Sequence, residues 1–260
     1  MNGRVDIVLI EPQATSNIGA VVRAMRNFDL ENLILVRPSA WEPETARWMA
    51  PGCDDLVDKI RVVAEIDDAL QNVGAAYATT ARHRRSGQPV FEPKQLAQEV
   101  QARPERVAIL FGREDSGLDN RTVERCRALV RIPTGAHASL NLSAAVLLVC
   151  SALFDERRNG QPAPGRSLAG SRPAKTTASV QRTDARDGPA SLSDMEPLVV
   201  AWTQLLDTAG TTQRTDANKI AATTRRLLQR AQPSLRDVDA LRGALRDLAR
   251  GSNVPGQGSG

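Results

Sequence analysis

The chain has 260 residues, 41% hydrophobic and 25% charged, with a formal net charge of +4. That length and apolar content allow one large domain, or a domain with an extension, each able to bury a core. They exclude a membrane span, since no apolar run approaches the required length, and Cys53, Cys126 and Cys150 are too few and too scattered for a disulfide framework or a zinc site.

The N-terminus leads directly into a strand pattern, without the apolar stretch of a secretory signal. With isolated cysteines, this points to a reduced, cytoplasmic protein without a metal. Val5–Ile10 is an apolar run ending at Glu11-Pro12. From Ile18 to Phe28 apolar residues recur at 18, 21, 22, 25 and 28, a helical stripe. Leu33–Val36 reads as a second strand, stopped near Pro38. Leu56–Val63 and Asp67–Gln71 hold a short strand and a short helix. Ala75–Thr80 is another strand, followed by the basic loop Ala81–Gly87. Lys94–Ala102 predicts a helix, Val107–Phe111 a strand running into Gly112, and Thr122–Cys126 a brief helix. Leu129–Ile132 is a strand stopped by Pro133, and Leu142–Arg157 a long helix. This alternation predicts an α/β domain over residues 1–157, a mainly parallel sheet with helices on both faces.

Residues 158–192 differ in kind. They are rich in proline, glycine and serine, hold six basic and two acidic side chains, and read as a flexible linker. Helical signals return over 193–250, ahead of a Gly/Ser-rich tail at 251–260 that reads as disordered. Ser193 and Glu196 have capping-box spacing before Leu198–Leu206. Asp216–Arg230 predicts a second helix, and Ser234 caps a third with Leu235, Val238, Leu241, Leu245 and Leu248 on one face. Three such helices can form a small bundle or dock on a partner. Residues 1–157 hold 19 basic and 21 acidic side chains, so the positive excess lies behind them. It suits either a polyanion such as nucleic acid or a solvated surface.

In parallel sheets ligands bind beyond the carboxyl ends of the strands. Four polar loops fall there: Glu11–Gly19, Thr79–Arg85, Phe111–Leu118 and Gly135–Ser143. None has the spacing of a phosphate-binding loop or a dinucleotide fingerprint. Ser139-Leu140-Asn141-Leu142-Ser143 opens the long helix. A helix mouth offers free N–H groups, so its Ser and Asn suit both a cap and a binding site. The only histidines, His83 and His137, have no orienting acid nearby in sequence.

Three segments in chain order resemble the motifs of the SPOUT superfamily of RNA 2′-O-ribose methyltransferases: Asn17–Ala24, Phe111–Leu118 and Ser139–Ser143. The resemblance covers residues 4–157. Residues 218–227 and 231–243 further resemble one branch, the tRNA (cytidine/uridine-2′-O)-methyltransferases of the TrmJ type, which modify nucleotide 32 of the anticodon loop.

The resemblance implies a C-terminal trefoil knot in the catalytic domain, S-adenosyl-L-methionine as cofactor, tRNA as substrate, and a homodimer with its active site at the subunit interface. It places Arg23, Asn17, Glu114, Ser139 and Asn141 in the reaction site. Thr79, Thr80, Ala81, Gly112, Ile132, Ala138, Ser139 and Leu140 would hold the cofactor. Arg82, Arg84 and Arg85 of the basic loop, with Arg225 and Arg226 of the extension, are expected to grip RNA phosphates. The cofactor loop reads Thr-Thr-Ala where relatives carry Thr-Ser-Ala, and His137 stands where relatives often carry Tyr.

Overall fold

The computed structural model describes residues 2–82, 87–136, 138–160, 185–210 and 216–251. The expectations placed on His83, Arg84, Arg85 and His137, on most of the linker and on the tail lie outside these residues.

Among the described residues seven strands form one sheet: β1 (Val5–Ile10), β2 (Asn32–Val36), β3 (Arg61–Val63), β4 (Ala75–Thr79), β5 (Val90–Phe91), β6 (Val107–Phe111) and β7 (Ala128–Val130). Their order is β3-β2-β1-β6-β4-β7-β5, and every strand pair is parallel. Side chains alternate between two cores, as strand geometry requires. Ile7, Leu9, Leu35, Tyr77 and Ile109 enter one core; Val8, Ile34, Ala76, Ala78 and Leu110 enter the other. Burial on both faces explains why the strands read as continuous apolar runs. Asp6 is the exception within β1; it is buried and held by Arg106 through Nε at 2.7 Å and Nη2 at 2.6 Å.

The first face is covered by α1 (Thr15–Asn27), α2 (Pro43–Met49), α3 (Asp54–Val57), α5 (Pro93–Ala102) and α7 (Leu142–Gly160). Helices α2 and α3 and strand β5 are additions to the sequence reading. Gly19 lets α1 and α2 meet closely, because a Cβ there would press on Met49 Cβ and the Ala46 carbonyl. Among the described residues, the second face carries only α4 (Ile66–Ala69) and α6 (Asn120–Glu124) from the front of the chain. The rest is covered by α8 (Leu192–Thr208) and α10 (Leu235–Gly251), which bury Leu192, Met195, Leu198, Val238 and Leu245 against the sheet. Helix α9 (Ala217–Ala231) packs beside α8, with Leu228 against the same core.

The extension is therefore a layer of this fold. Leu192 N donates to the Val73 carbonyl at 2.9 Å. Gln229 is buried and donates to the Arg125 carbonyl at 2.7 Å, while Arg127 donates to the Gln229 carbonyl at 2.9 Å. Two boundaries move. Residues 158–160 belong to α7, and residues 185–191 form a short 3-10 turn, a bridge to Ser234 and the start of α8. The capping box of α8 is Ser191 with Asp194, two residues before the expected Ser193 and Glu196. Glu196 turns instead to Arg225.

Candidate functional site

Three of the four polar loops line a cleft of about 390 Å³ at the carboxyl edge of the sheet, and the fourth, Glu11–Gly19, joins it through the contacts of Gln13 and Asn17 with Glu114. Its lining includes Thr79, Thr80, Ala81 and Arg82 after β4, Phe111–Leu118 after β6, Val130 and Ile132 around the end of β7, and Ala138, Ser139 and Leu140 before α7. All eight residues expected at the cofactor thus line one cleft. Its size lies within the range of small-molecule sites.

The turn after β6 is shaped by two glycines. A Cβ on Gly112 would collide with the backbone of Gly117 and Leu118, and Gly117 has φ +70°. Larger residues at either position would open or strain this turn. Thr79 Oγ1 donates to the Leu110 carbonyl at 2.9 Å, and Thr80 N to the Val130 carbonyl at 2.9 Å. These bonds tie the β4 loop to both neighbouring strands and leave the small side chains of Thr80 and Ala81 at the cleft.

Three of the expected reaction-site residues form one chain of contacts. Glu114 accepts from Asn17 Nδ2 at 2.8 Å and from Gln13 N at 3.0 Å. Asn17 Oδ1 in turn faces Asn141 Nδ2 at 3.5 Å. Asn141 also caps α7: its Oδ1 accepts from Ser143 N at 2.9 Å and from Ser143 Oγ at 2.7 Å. One side of its amide fastens the helix mouth and the other faces the site. Ser139 is exposed in the cleft lining.

Arg23 stands apart. It is exposed on α1, does not line the cleft, and has no ion pair among the described residues. Asn17 and Arg23 are six positions apart, so they project on different sides of the helix.

The two arginines expected to grip RNA from the extension part company. Arg225 is engaged: its Nε and Nη2 hold both carboxylate oxygens of Glu196 at 2.9 and 2.6 Å, and its side chain is only 19% exposed. This half-buried bidentate pair stitches α9 to α8 and engages the cation expected to grip RNA. Arg226 reaches the catalytic domain, its Nη1 2.8 Å from where a Gly87 Cβ would stand. It therefore sits at the far end of the loop whose near end, Arg82, lines the cleft. Lys219 and Arg230 are exposed on α9 as well.

Sequence reasoning missed the ion pairs beside the cleft. Arg113 donates to Asp115 at 3.1 and 3.0 Å and to Glu11 at 3.3 Å. These contacts raise the Arg113 pKa; the Arg113 bond holds Asp115 well below the usual carboxylate range, helped by Ser116 and Gln13. No sequence spacing brings Glu11 and Arg113 together; only the adjacency of β1 and β6 does. Among the described residues no helix is long and apolar enough to cross a membrane, and no cluster suited to a metal ion is present.

Comparison with known proteins agrees with this layout. Residues 4–151 match the SpoU rRNA Methylase family, and residues 193–257 match the C-terminal domain of the tRNA methyltransferase TrmJ. The tRNA (cytidine/uridine-2′-O-)-methyltransferase TrmJ of Photorhabdus laumondii is 32% identical over 247 residues, 94% of this chain and 96% of that protein. The tRNA (cytidine/uridine/adenosine-2′-O-)-methyltransferase TrmJ of Pseudomonas aeruginosa is 38% identical over 151 residues, 56% of this chain and 58% of that one. The crystal structure of TrmJ from Z. mobilis superimposes with a TM-score of 0.74 at 29% identity, over 94% of this chain and 98% of that one. By motif order, fold and length, the chain belongs to the SpoU methylase family of the SPOUT superfamily and carries the TrmJ-type C-terminal domain.

Proposed function

We propose that the chain transfers a methyl group from S-adenosyl-L-methionine to the ribose 2′-oxygen of nucleotide 32 in the anticodon loop of tRNA. The observation that carries this reading is the chain of contacts that joins Asn141 and Asn17, from two distant segments, to Glu114 in the cleft lining. The relatives named above are tRNA 2′-O-methyltransferases by name, and the fit of the extension to the TrmJ C-terminal domain supports the same substrate class.

The cleft suits the cofactor: backbone-rich turns with Gly112 at their tightest point, and Ile132, Leu140, Leu142 and Ala145 as apolar walls. Thr79, Thr80, Ala81, Gly112, Ile132, Ala138, Ser139 and Leu140 would hold it. When bound, it supplies a methyl group already activated on a sulfonium. The protein's task is alignment, which can provide much of the rate enhancement. Ser139 and Asn141 orient the ribose, and Glu114 fixes Asn17 and the Gln13 amide. Arginine stays protonated in proteins, so Arg23 acts as a clamp on the 3′-phosphate that polarises the 2′-hydroxyl, and the phosphate it holds helps to take the hydroxyl proton.

Because Arg23 lies outside its own cleft, it serves the site of a second copy. Exposed Leu147 and Leu148 on α7 suit the interface of such a homodimer. The loops after β6 and β7 would form the family's trefoil knot. Arg82 and Arg226 flank a path for RNA phosphates beside the cleft, extended by Lys219 and Arg230.

Incubation with methyl-labelled S-adenosylmethionine, bulk tRNA and ribosomal RNA tests the reading. Label on tRNA is expected, and Arg23→Ala should lower the rate about 100- to 1,000-fold while cofactor binding survives. Label on ribosomal RNA alone, or near-full turnover by Arg23→Ala, would overturn it.

A further inference from the structure

A row of alternating charges runs along the carboxyl edge of the sheet. It starts at Glu65, just past β3, which accepts from Arg37 Nη1 at 3.3 Å. Arg37, just past β2, donates through Nε and Nη2 to Glu11 Oε1 at 3.1 and 3.0 Å. Glu11, just past β1, uses its other oxygen to accept from Arg113 Nη1 at 3.3 Å. Arg113, just past β6, grips Asp115, whose Oδ2 also accepts from Gln13 Nε2 at 2.9 Å. The order β3-β2-β1-β6 is the order of these strands in the sheet, so each charge bridges to the next strand end.

Two links in this row are strained. Glu11 has φ +50° and Arg37 φ +46°, a left-handed region that side chains with a Cβ rarely adopt. Each is fixed there by its own backbone: Glu11 N donates to the Val36 carbonyl at 2.8 Å and Arg37 N to the Val63 carbonyl at 3.0 Å. Strain of this kind persists where surrounding contacts over-determine it, and it clusters at functional sites. Here it aims the Glu11 carboxylate between two guanidinium groups.

The row ends at the reaction site. Asp115 holds the Gln13 side chain while its neighbour Glu114 holds the Gln13 amide and Asn17. The turn after β6 is thus stapled to the loop after β1, and the distance between Glu114 and Asn17 depends on that staple. We propose that Glu11 is a positioning residue for methyl transfer: by bridging Arg37 and Arg113 it sets where the turn bearing Glu114 meets Asn17. The inference rests on the reading of the cleft as the methyl-transfer site. Glu11 itself does not line the cleft; it acts through Arg113.

The test compares Glu11→Gln, Arg37→Ala and the double variant in the full-length protein. Small misplacements at an active site cost large factors, so Glu11→Gln should lower kcat about 10- to 100-fold with KM for tRNA little changed. Arg37→Ala should lower kcat less, and the double variant should match Glu11→Gln, because residues in one network are not additive. The Gln13 amide should exchange hydrogen faster in both single variants. Near-wild-type kcat in Glu11→Gln, additive losses, or a kcat loss matched by a loss of folded protein would overturn the proposal. Absence of methyl transfer by the wild-type protein would instead overturn the functional reading, and Gln13 exchange still decides the staple.

Discussion

The two faces of the sheet are covered by different means. On the first, α1 and α5 are helices of ordinary length supplied by crossovers between strands, and α7 follows the last strand. On the second, those crossovers supply only α4 and α6, of four and five residues, and the layer is completed by α8 and α10 from beyond residue 184. The difference shows that the C-terminal helices do more than carry cations. They close the core of the catalytic domain and, through Arg226 at Gly87, set α9 beside the loop that borders the cleft.

The largest effect should come from removing the layer. A chain ending at Gly160 exposes Val8, Leu70, Val73 and Ala76, buried in the full protein. Each large apolar side chain buried is worth about 1.5–3 kcal/mol. The melting temperature should therefore fall by more than about 10 °C, read by calorimetry. The tRNA affinity should fall far more than cofactor affinity, with a flatter salt dependence in a titration. Equal stability and equal tRNA binding would break the comparison.

A finer test sets one methionine on each face side by side. Met25 of α1 and Met195 of α8 are both buried, and each Met→Ala change should cost about 2–5 kcal/mol by urea denaturation. A negligible cost at Met195 alone would mean that α8 lies loosely on the sheet.

Smaller again is the pair that joins α9 to α8. Burial pushes the Glu196 pKa up, but its bonds to Arg225 outweigh this and the net shift is downward. A carboxylate with a lowered folded pKa stabilises the fold above the ordinary Glu value of about 4.3, and the contribution fades as pH falls through the folded value. Glu196→Gln should cost about 1–3 kcal/mol at neutral pH. The gap to wild type should stay level from pH 8 to about 5 and close in stronger acid. A gap that widens in acid would contradict the pairing.

The least perturbing probe is chemical. Burial pushes the thiols of Cys126, beneath the second face, and Cys150, on α7 beneath the first, up to about 12. Both should resist a thiol reagent in the native state, and the truncated chain should expose Cys126 first. Labelling of Cys126 in the intact protein at the rate of an unfolded thiol would show the second face to be open.

Much of the catalytic domain was legible in the sequence because its information is local. Apolar runs with Pro or Gly stops mark β1, β2 and β6, and the stripe from Ile18 marks α1. The four loops were legible as well, because they sit at strand ends and helix mouths, while the individual cleft residues came only from the family resemblance. What was hidden depends on pairings across the fold. The periodicity of Leu198, Val238 and Leu245 shows an apolar face but not the surface it covers. Arg225 looks like any cation until Glu196 is found beside it. Strand β5 has two residues, too few for a pattern. Helix α2 begins at Pro43 with little apolar periodicity to announce it. The row from Glu65 to Asp115 has no motif because only the strand order assembles it.

The central claim, ribose methylation at nucleotide 32 of tRNA, is tested most directly with a pair of tRNAs. One is unmodified; the other is identical except for a 2′-deoxyribose at nucleotide 32. With S-adenosylmethionine and the full-length protein, mass spectrometry should find one new methyl group on the ribose of nucleotide 32 in the first tRNA and none in the second. Equal methylation of both tRNAs, or methylation of neither, would contradict it.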